Sequence, residues 1–349
     1  MVDQLRASEI QQPNVRLDFA VSRGAHILAS LYNLPRVAAR IVLGGVLDQI
    51  DVVHLNLASN SSAYRKLLLS YACRLVRIPY VIHLHGGGFR DFWVGLPRAR
   101  KRAIDGLFKN AGAIVVLGDA SRPIVAAQVP ETAAKIFTVP NATQRRPKAA
   151  GSGEIPNILF LGRLGKSKGV PDLLQALAGL PRSLSWTAVI AGDGDVRETL
   201  RTVAEFSLSN RVTVPGWVGT EDVERLIEKG DILVLPSYEE NLPMSVIEGM
   251  AAGLAVVATP VGETGDIVRD GITGLLVKPG DVGGLRTALE RLLSDADLRT
   301  RLGSEAQAFH RQRLDADGYV ARLSVPWLHA AGFRPAKREQ GETHSVSGL

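Results

Sequence analysis

Cysteine is nearly absent: Cys73 is the single one in 349 residues. An internal disulfide is therefore excluded, and the chain suits a reducing compartment such as the cytoplasm. No apolar run reaches membrane-spanning length, because the stretch from Ile41 to Leu57 is interrupted by Gly44, Gly45, Asp48 and Asp51. The opening Met1 to Pro13 is polar and contains acids, unlike a signal peptide. No His, Cys and Asp cluster has the spacing of a metal site, and no short-period repeat or nucleic-acid module is present. Asp193-Gly-Asp195 reads as a cap and turn rather than a metal pair.

What is present is an ordinary globular composition, 46% apolar and 22% charged, at a length that suggests two domains. Charge is divided unevenly. Residues 1–150 carry a net +11 and the remainder −5, within a total of +6. A basic half beside an acidic half implies an anionic partner for the first, and a membrane surface is preferred over nucleic acid.

Apolar runs alternate with helical patterns throughout, which predicts parallel βαβ units. Strands are expected at Leu17 to Val21, Asp51 to Leu57, Tyr80 to Leu84, Ala113 to Leu117 and Ile136 to Val139. Ser121 is expected to cap the helix that follows the fourth of these. Residues 144–156 have linker composition. The pattern then restarts, with strands expected from Ile158, Thr187, Val212, Ile232 and Ala255 and a last helix over Tyr319 to Ala330. Fold class is therefore α/β, with two Rossmann-like domains facing a cleft.

The most informative stretch runs from Pro236 to Gly253. A polar loop with Glu239, Glu240 and Asn241 leaves the strand that ends at Leu235. A helix opening at Pro243 then carries Glu248, with seven residues between the two glutamates, and Gly253 ends it. Ligands of open α/β sheets bind at the carboxyl ends of strands, where such carboxylates can hold sugar or ribose hydroxyls. A second loop, Gly162 to Gly169, combines three glycines with Arg163, Lys166 and Lys168 ahead of a helix, which suits a diphosphate. His85 ends a strand and precedes three glycines, where it can hydrogen-bond a substrate hydroxyl. His83 is expected to point the other way, and both it and His54 to be packed. His85 to Gly88 and Gly165 to Gly169 also match fragments of an α/β-hydrolase. A hydrolase elbow, however, places its serine at a strand-to-helix turn, and Ser167 lies in a loop between two lysines.

These motifs resemble the GT-B glycosyltransferases, specifically the retaining family 4 (glycosyl transferases group 1). The resemblance rests on Phe160 to Gly169, Ala191 to Gly194, Val214 to Trp217, Leu235 to Gly253 and Gly271 to Leu276. It implies transfer of a sugar from a nucleotide-sugar to a glycan or polyprenyl-linked acceptor in cell-surface polysaccharide synthesis, with no cofactor and no bound metal. Gly162, Arg163 and Lys168 would meet the donor diphosphate, and Glu248 the ribose. Glu240, with the backbone of Asn241 and Leu242, would hold the donor sugar. The backbone of Trp217 and Val218 would meet the base, and His85 would sit beside the reacting carbon. Expected boundaries are an acceptor domain over 1–143, a linker over 144–156, a donor domain over 157–316, a helix over 317–333 returning to the first domain, and a disordered tail over 334–349. Leu17 to Val21 looks like the family's second strand, so the first domain is expected to lack its first strand, and a catalytically silent nucleotide-sugar-binding protein is the alternative expectation. Phe89, Phe92 and Trp93 beside the basic Arg98 to Arg102 stretch suggest peripheral contact with an anionic membrane.

Overall fold

The computed structural model describes residues 16–22 and 27–332. The sequence's expected tail over 334–349 lies outside them. Two parallel sheets carry the fold. The first contains β1 (Val53–Leu57), β2 (Tyr80–Leu84), β3 (Ala113–Val116) and β4 (Ile136–Thr138), in that spatial order. The second contains β5 (Asn157–Leu161), β6 (Thr187–Ala191), β7 (Val212–Gly216), β8 (Ile232–Leu235), β9 (Ala255–Ala258) and β10 (Leu275–Leu276). Its order is β10-β9-β8-β5-β6-β7. That is the dinucleotide-binding order, with the topological switch between β5 and β8.

The near-continuous Val, Ile and Leu runs become strands because helices cover both faces of a parallel sheet. Every residue of β2, β3, β8 and β9 is buried. The expected strand at Leu17 to Val21 is not one: residues 16–21 pair with no sheet. Instead Asp18 pairs with Arg40 and Ser22 accepts from Lys66 Nζ at 2.9 Å, so long side chains of the next two helices hold the segment.

The expected site of membrane contact is also rearranged. Phe89 and Trp93 are buried, and Trp93 stacks on Phe108 with ring centroids 4.3 Å apart. Phe92 is half-buried against the same cluster, so the three rings expected at an interface are what the short helix Phe89–Val94 inserts into the core of the first sheet.

Two features tie the sheets together. Thr143 bridges Asp315, with Thr143 N–H donating to Leu314 O at 3.0 Å and Ala316 N–H to Thr143 O at 2.9 Å. From there the helix Tyr319–Ala330 packs Tyr319 and Leu323 against Val81, Ala113 and Val115 of the first sheet. The second tie replaces the cap expected from Ser121, whose hydroxyl caps nothing. Glu263, from beyond β9, accepts the N–H of Ala120 at 3.0 Å and of Ser121 at 2.9 Å, while Asp266 accepts that of Asp119 at 2.7 Å. Carboxylates of the second unit thus satisfy the orphan amides of a helix in the first.

Burial pushes the Glu263 carboxyl up to about 6, with the nearby Asp266 adding to the rise and hydrogen bonds from the Ser121 side chain and the Ala120 amide opposing it. A raised carboxyl pKa means the folded state binds more protons than the unfolded one, so this group's contribution falls as pH rises from about 4.5 to about 6. Stability of the native chain, measured by denaturant titration across that window, should decline with pH relative to Glu263→Gln. Parallel curves for the two proteins would contradict it.

Candidate active site

The loops that leave β5 and β8 flank the switch point. Residues after β5 form a tight turn at Lys166–Lys168 before the helix Val170–Ala178. Residues after β8 run as a loop to Pro243, which precedes rather than opens the helix Met244–Ala251. Tyr238 N–H donates to Ser167 O at 2.9 Å and fastens one loop to the other. Lys168 Nζ then lies 2.6 Å from Glu240 Oε1 and 3.1 Å from Glu239 O, and Ser237 Oγ donates to the same Glu240 oxygen at 2.9 Å. Both charged side chains are largely covered, 25% and 11% exposed. Two residues selected separately, one for phosphate and one for sugar, are therefore a single ion pair.

Arg163 is exposed on the same loop as Lys168, and Gly162 at its start is half-buried. Leu164 bridges Gly194, so the loop after β6 braces it. Trp217 stands 75% exposed just past β7, with Val218 half-buried behind it. Glu248 is half-buried on its helix. Burial raises its pKa, Arg146 pulls it back and Glu224 adds to the rise. It enters no ion pair among the described residues, whereas Arg146 lies 3.9 Å from Glu224. Leu242 is buried, and its carbonyl accepts from Asn141 Nδ2 at 3.5 Å. Asn241 Nδ2 is buried with no hydrogen-bond partner among the described residues, a donor left for something else to use.

The first sheet reaches this crevice through the loop after β2. A Cβ on Gly87 would stand 3.3 Å from the carbonyl of Glu240 and 3.4 Å from Asn241 N. On the other side Glu263 N–H donates to Asn241 O at 2.7 Å. Gly262, at φ +59°, leaves no room for a Cβ, which would overlap the carbonyl oxygens of Glu240 and Asn241.

His85 opens the Gly87 loop. Its Nε2 lies 3.1 Å from Asn56 Oδ1, and its backbone N–H extends the ladder to Leu57 O at 2.8 Å. His83 does not point away from it. Residues two apart on a strand share a face, and the two rings lie 3.9 Å apart. Burial pushes His54 down to about 4 and His85 to about 3, and drives His83 well below the ordinary range. All three rings are neutral at pH 7.

A cleft at a Rossmann switch point, with a cation and a carboxylate held together and a second lobe's glycine loop against them, is where known proteins can be compared. Residues 142–309 match the sequence model described as glycosyl transferases group 1. Residues 142–309 therefore carry this family's domain, and the two sheets together have the GT-B fold. An α-D-kanosaminyltransferase of Streptomyces kanamyceticus is 29% identical over 71% of this chain and 69% of its own. A lipopolysaccharide core biosynthesis glycosyltransferase of Rhizobium meliloti is 34% identical over 51% of this chain and 53% of its own, so about half of that relative is spanned. The crystal structure of Anabaena HepE in complex with UDP has the same fold, at TM-score 0.71 and 20% identity, covering 91% of this chain and 88% of that one.

Sequence reasoning missed Glu263, Asp266, Asn56 and Trp327. Only the acid-rich Glu263-Thr-Gly-Asp266 run carried any local signal. Gly262→Ala should cost about 1–3 kcal/mol through strain and overlap, seen as a lower denaturation midpoint at unchanged slope. Gly87→Ala, whose new atom meets only tight contact, should cost less; the reverse ranking would contradict the clamp.

Proposed function

We propose that this glycosyltransferase moves a sugar from a nucleoside diphosphate donor to a glycan or lipid-linked acceptor with retention of configuration, in cell-surface polysaccharide synthesis. The observation that carries it is the Lys168–Glu240 pair at the switch point, facing the Gly87 loop. Donor phosphates compete with Glu240 for Lys168 and are joined by Arg163 and the loop amides from Gly162. Glu240 is then released to accept hydroxyls of the sugar, beside the Asn241 and Leu242 backbone. Glu248 takes the ribose, the Trp217–Val218 backbone meets the base, and His85 stands by the reacting carbon. The UDP and UDP-glucose complexes of Anabaena HepE support a nucleotide-sugar donor.

Catalysis follows from charge placement. As the anomeric C–O bond breaks, negative charge grows on the leaving diphosphate, and preorganised cations stabilise that charge without a metal. The acceptor oxygen attacks from the same face, and its proton passes to the departing phosphate oxygen. Purified chain should turn over one member of a nucleotide-sugar panel, and Lys168→Ala and Glu240→Ala should each lower kcat/KM by roughly 100-fold. Donor-induced thermal stabilisation without any turnover would assign a binding role instead, and a trapped covalent sugar adduct would exclude same-face attack.

We place the membrane contact on the helices Ile27–Val46 and Ser61–Leu75, which contain no acidic residue. Leu43, Val46, Leu68, Tyr71 and Leu75 are exposed there, as is Leu47 just past the first helix, together with Arg36 and Arg74. Apolar and cationic groups on one exposed face suit an anionic lipid surface. The chain should co-sediment with phosphatidylglycerol vesicles at low salt, and Leu43→Glu with Leu47→Glu should release it. Equal binding to neutral vesicles would contradict the charge argument.

A further inference from the structure

Behind His85 lies a chain of hydrogen bonds that begins on the last described helix. Trp327 Nε1 donates to His54 Nδ1 at 2.8 Å. An indole nitrogen only donates, so His54 Nδ1 carries no proton. Neutral His54 is therefore protonated at Nε2, which lies 3.1 Å from His83 Nδ1. That nitrogen in turn must accept. Neutral His83 then carries its proton on Nε2, which is buried with no hydrogen-bond partner among the described residues. The His83 ring tilts 37° against that of His85, with centroids 3.9 Å apart. His85 is held on its other side by Asn56, which pairs with His83 in the β1–β2 register.

Each tautomer in this series is dictated by the one before it, and the first is dictated by a tryptophan of a helix that follows the whole second unit. We propose that Trp327 is a positioning residue for His85, setting through His54 and His83 the tautomers and ring orientation against which the His85 imidazole rests. The proposal builds on His85 standing beside the reacting sugar, but the hydrogen-bond series it describes exists without donor. The ring packing agrees with this role: Trp327 meets His54 edge-on at 5.8 Å between centroids, and His54 meets His83 edge-on at 5.2 Å. Neither contact allows a ring to flip without losing a hydrogen bond. A flip of His54 would put its Cδ2–H where Nδ1 stands and leave the indole N–H without its acceptor in a part-buried site.

The deciding measurement is a long-range proton–nitrogen correlation spectrum of the full chain labelled at histidine ring nitrogens, at pH 7 and without donor. His54→Gln and His83→Gln samples supply the assignments. His54 and His83 should both appear protonated at Nε2 with bare Nδ1; either ring found as the Nδ1–H form, or as a cation, overturns the proposal. In Trp327→Phe, which keeps an aromatic ring, His54 should show mixed tautomers, and kcat should fall about five- to tenfold with donor KM nearly unchanged. Native tautomers in that variant, or shifted tautomers at full kcat, would also overturn it. A chain that turns over no nucleotide-sugar would sink the proposed function while the tautomer spectrum still decides the positioning role.

Discussion

The contact between Lys168 and Glu240 organises this molecule. It forms because β5 and β8 are adjacent in space although two further strands separate them in the chain. The loops that leave those two strands must then diverge around one crevice, and each delivers one charge. Such a half-buried pair adds little to folding, since desolvation of the ions offsets most of their attraction. Its value lies in orientation. With Ser237 and the Glu239 carbonyl as additional partners, both groups are held in one geometry at the mouth of the crevice.

Much of this was readable from the chain alone. Parallel strands buried on both faces leave uninterrupted apolar runs, so β2, β3, β8 and β9 announce themselves. The loops after β5 and β8 carry their chemistry in consecutive residues, and consecutive residues are what a sequence displays. What failed was of other kinds. Phe89 and Trp93 sit near cations in the chain, yet fill a core, because those cations belong to a separate helix, Arg98–Lys109. The Leu17 to Val21 run has strand composition, but a strand also needs a neighbour, and here Asp18 pairs with Arg40 and the adjoining Ser22 with Lys66 instead. The reading of His83 misapplied the twofold period of a strand.

The remaining omissions share one cause: their partners lie far away in sequence. Glu263 serves amides of Ala120 and Ser121, and Trp327 serves His54. Nothing near either residue says so. Both interactions cross between the halves of the chain, and both satisfy a polar group that the first half leaves unfinished. The first sheet therefore depends on the second unit and its closing helix for a helix cap, for part of its core and for the state of its histidines. Its own sequence describes it less completely than the second unit's does.

One peptide shows how that dependence shapes change in the protein. The Glu240–Asn241 bond is pressed by Gly262 from its own lobe and by Gly87 from the opposite one. A methyl group added on either side can be accommodated only if the peptide retreats toward the other. The two glycines, remote in the chain, behave as one position with respect to mutational tolerance. Drift at one would have to be answered by drift at the other, so sequences that diverge here should covary as a pair, with the position of the Glu240–Asn241 peptide as the quantity preserved.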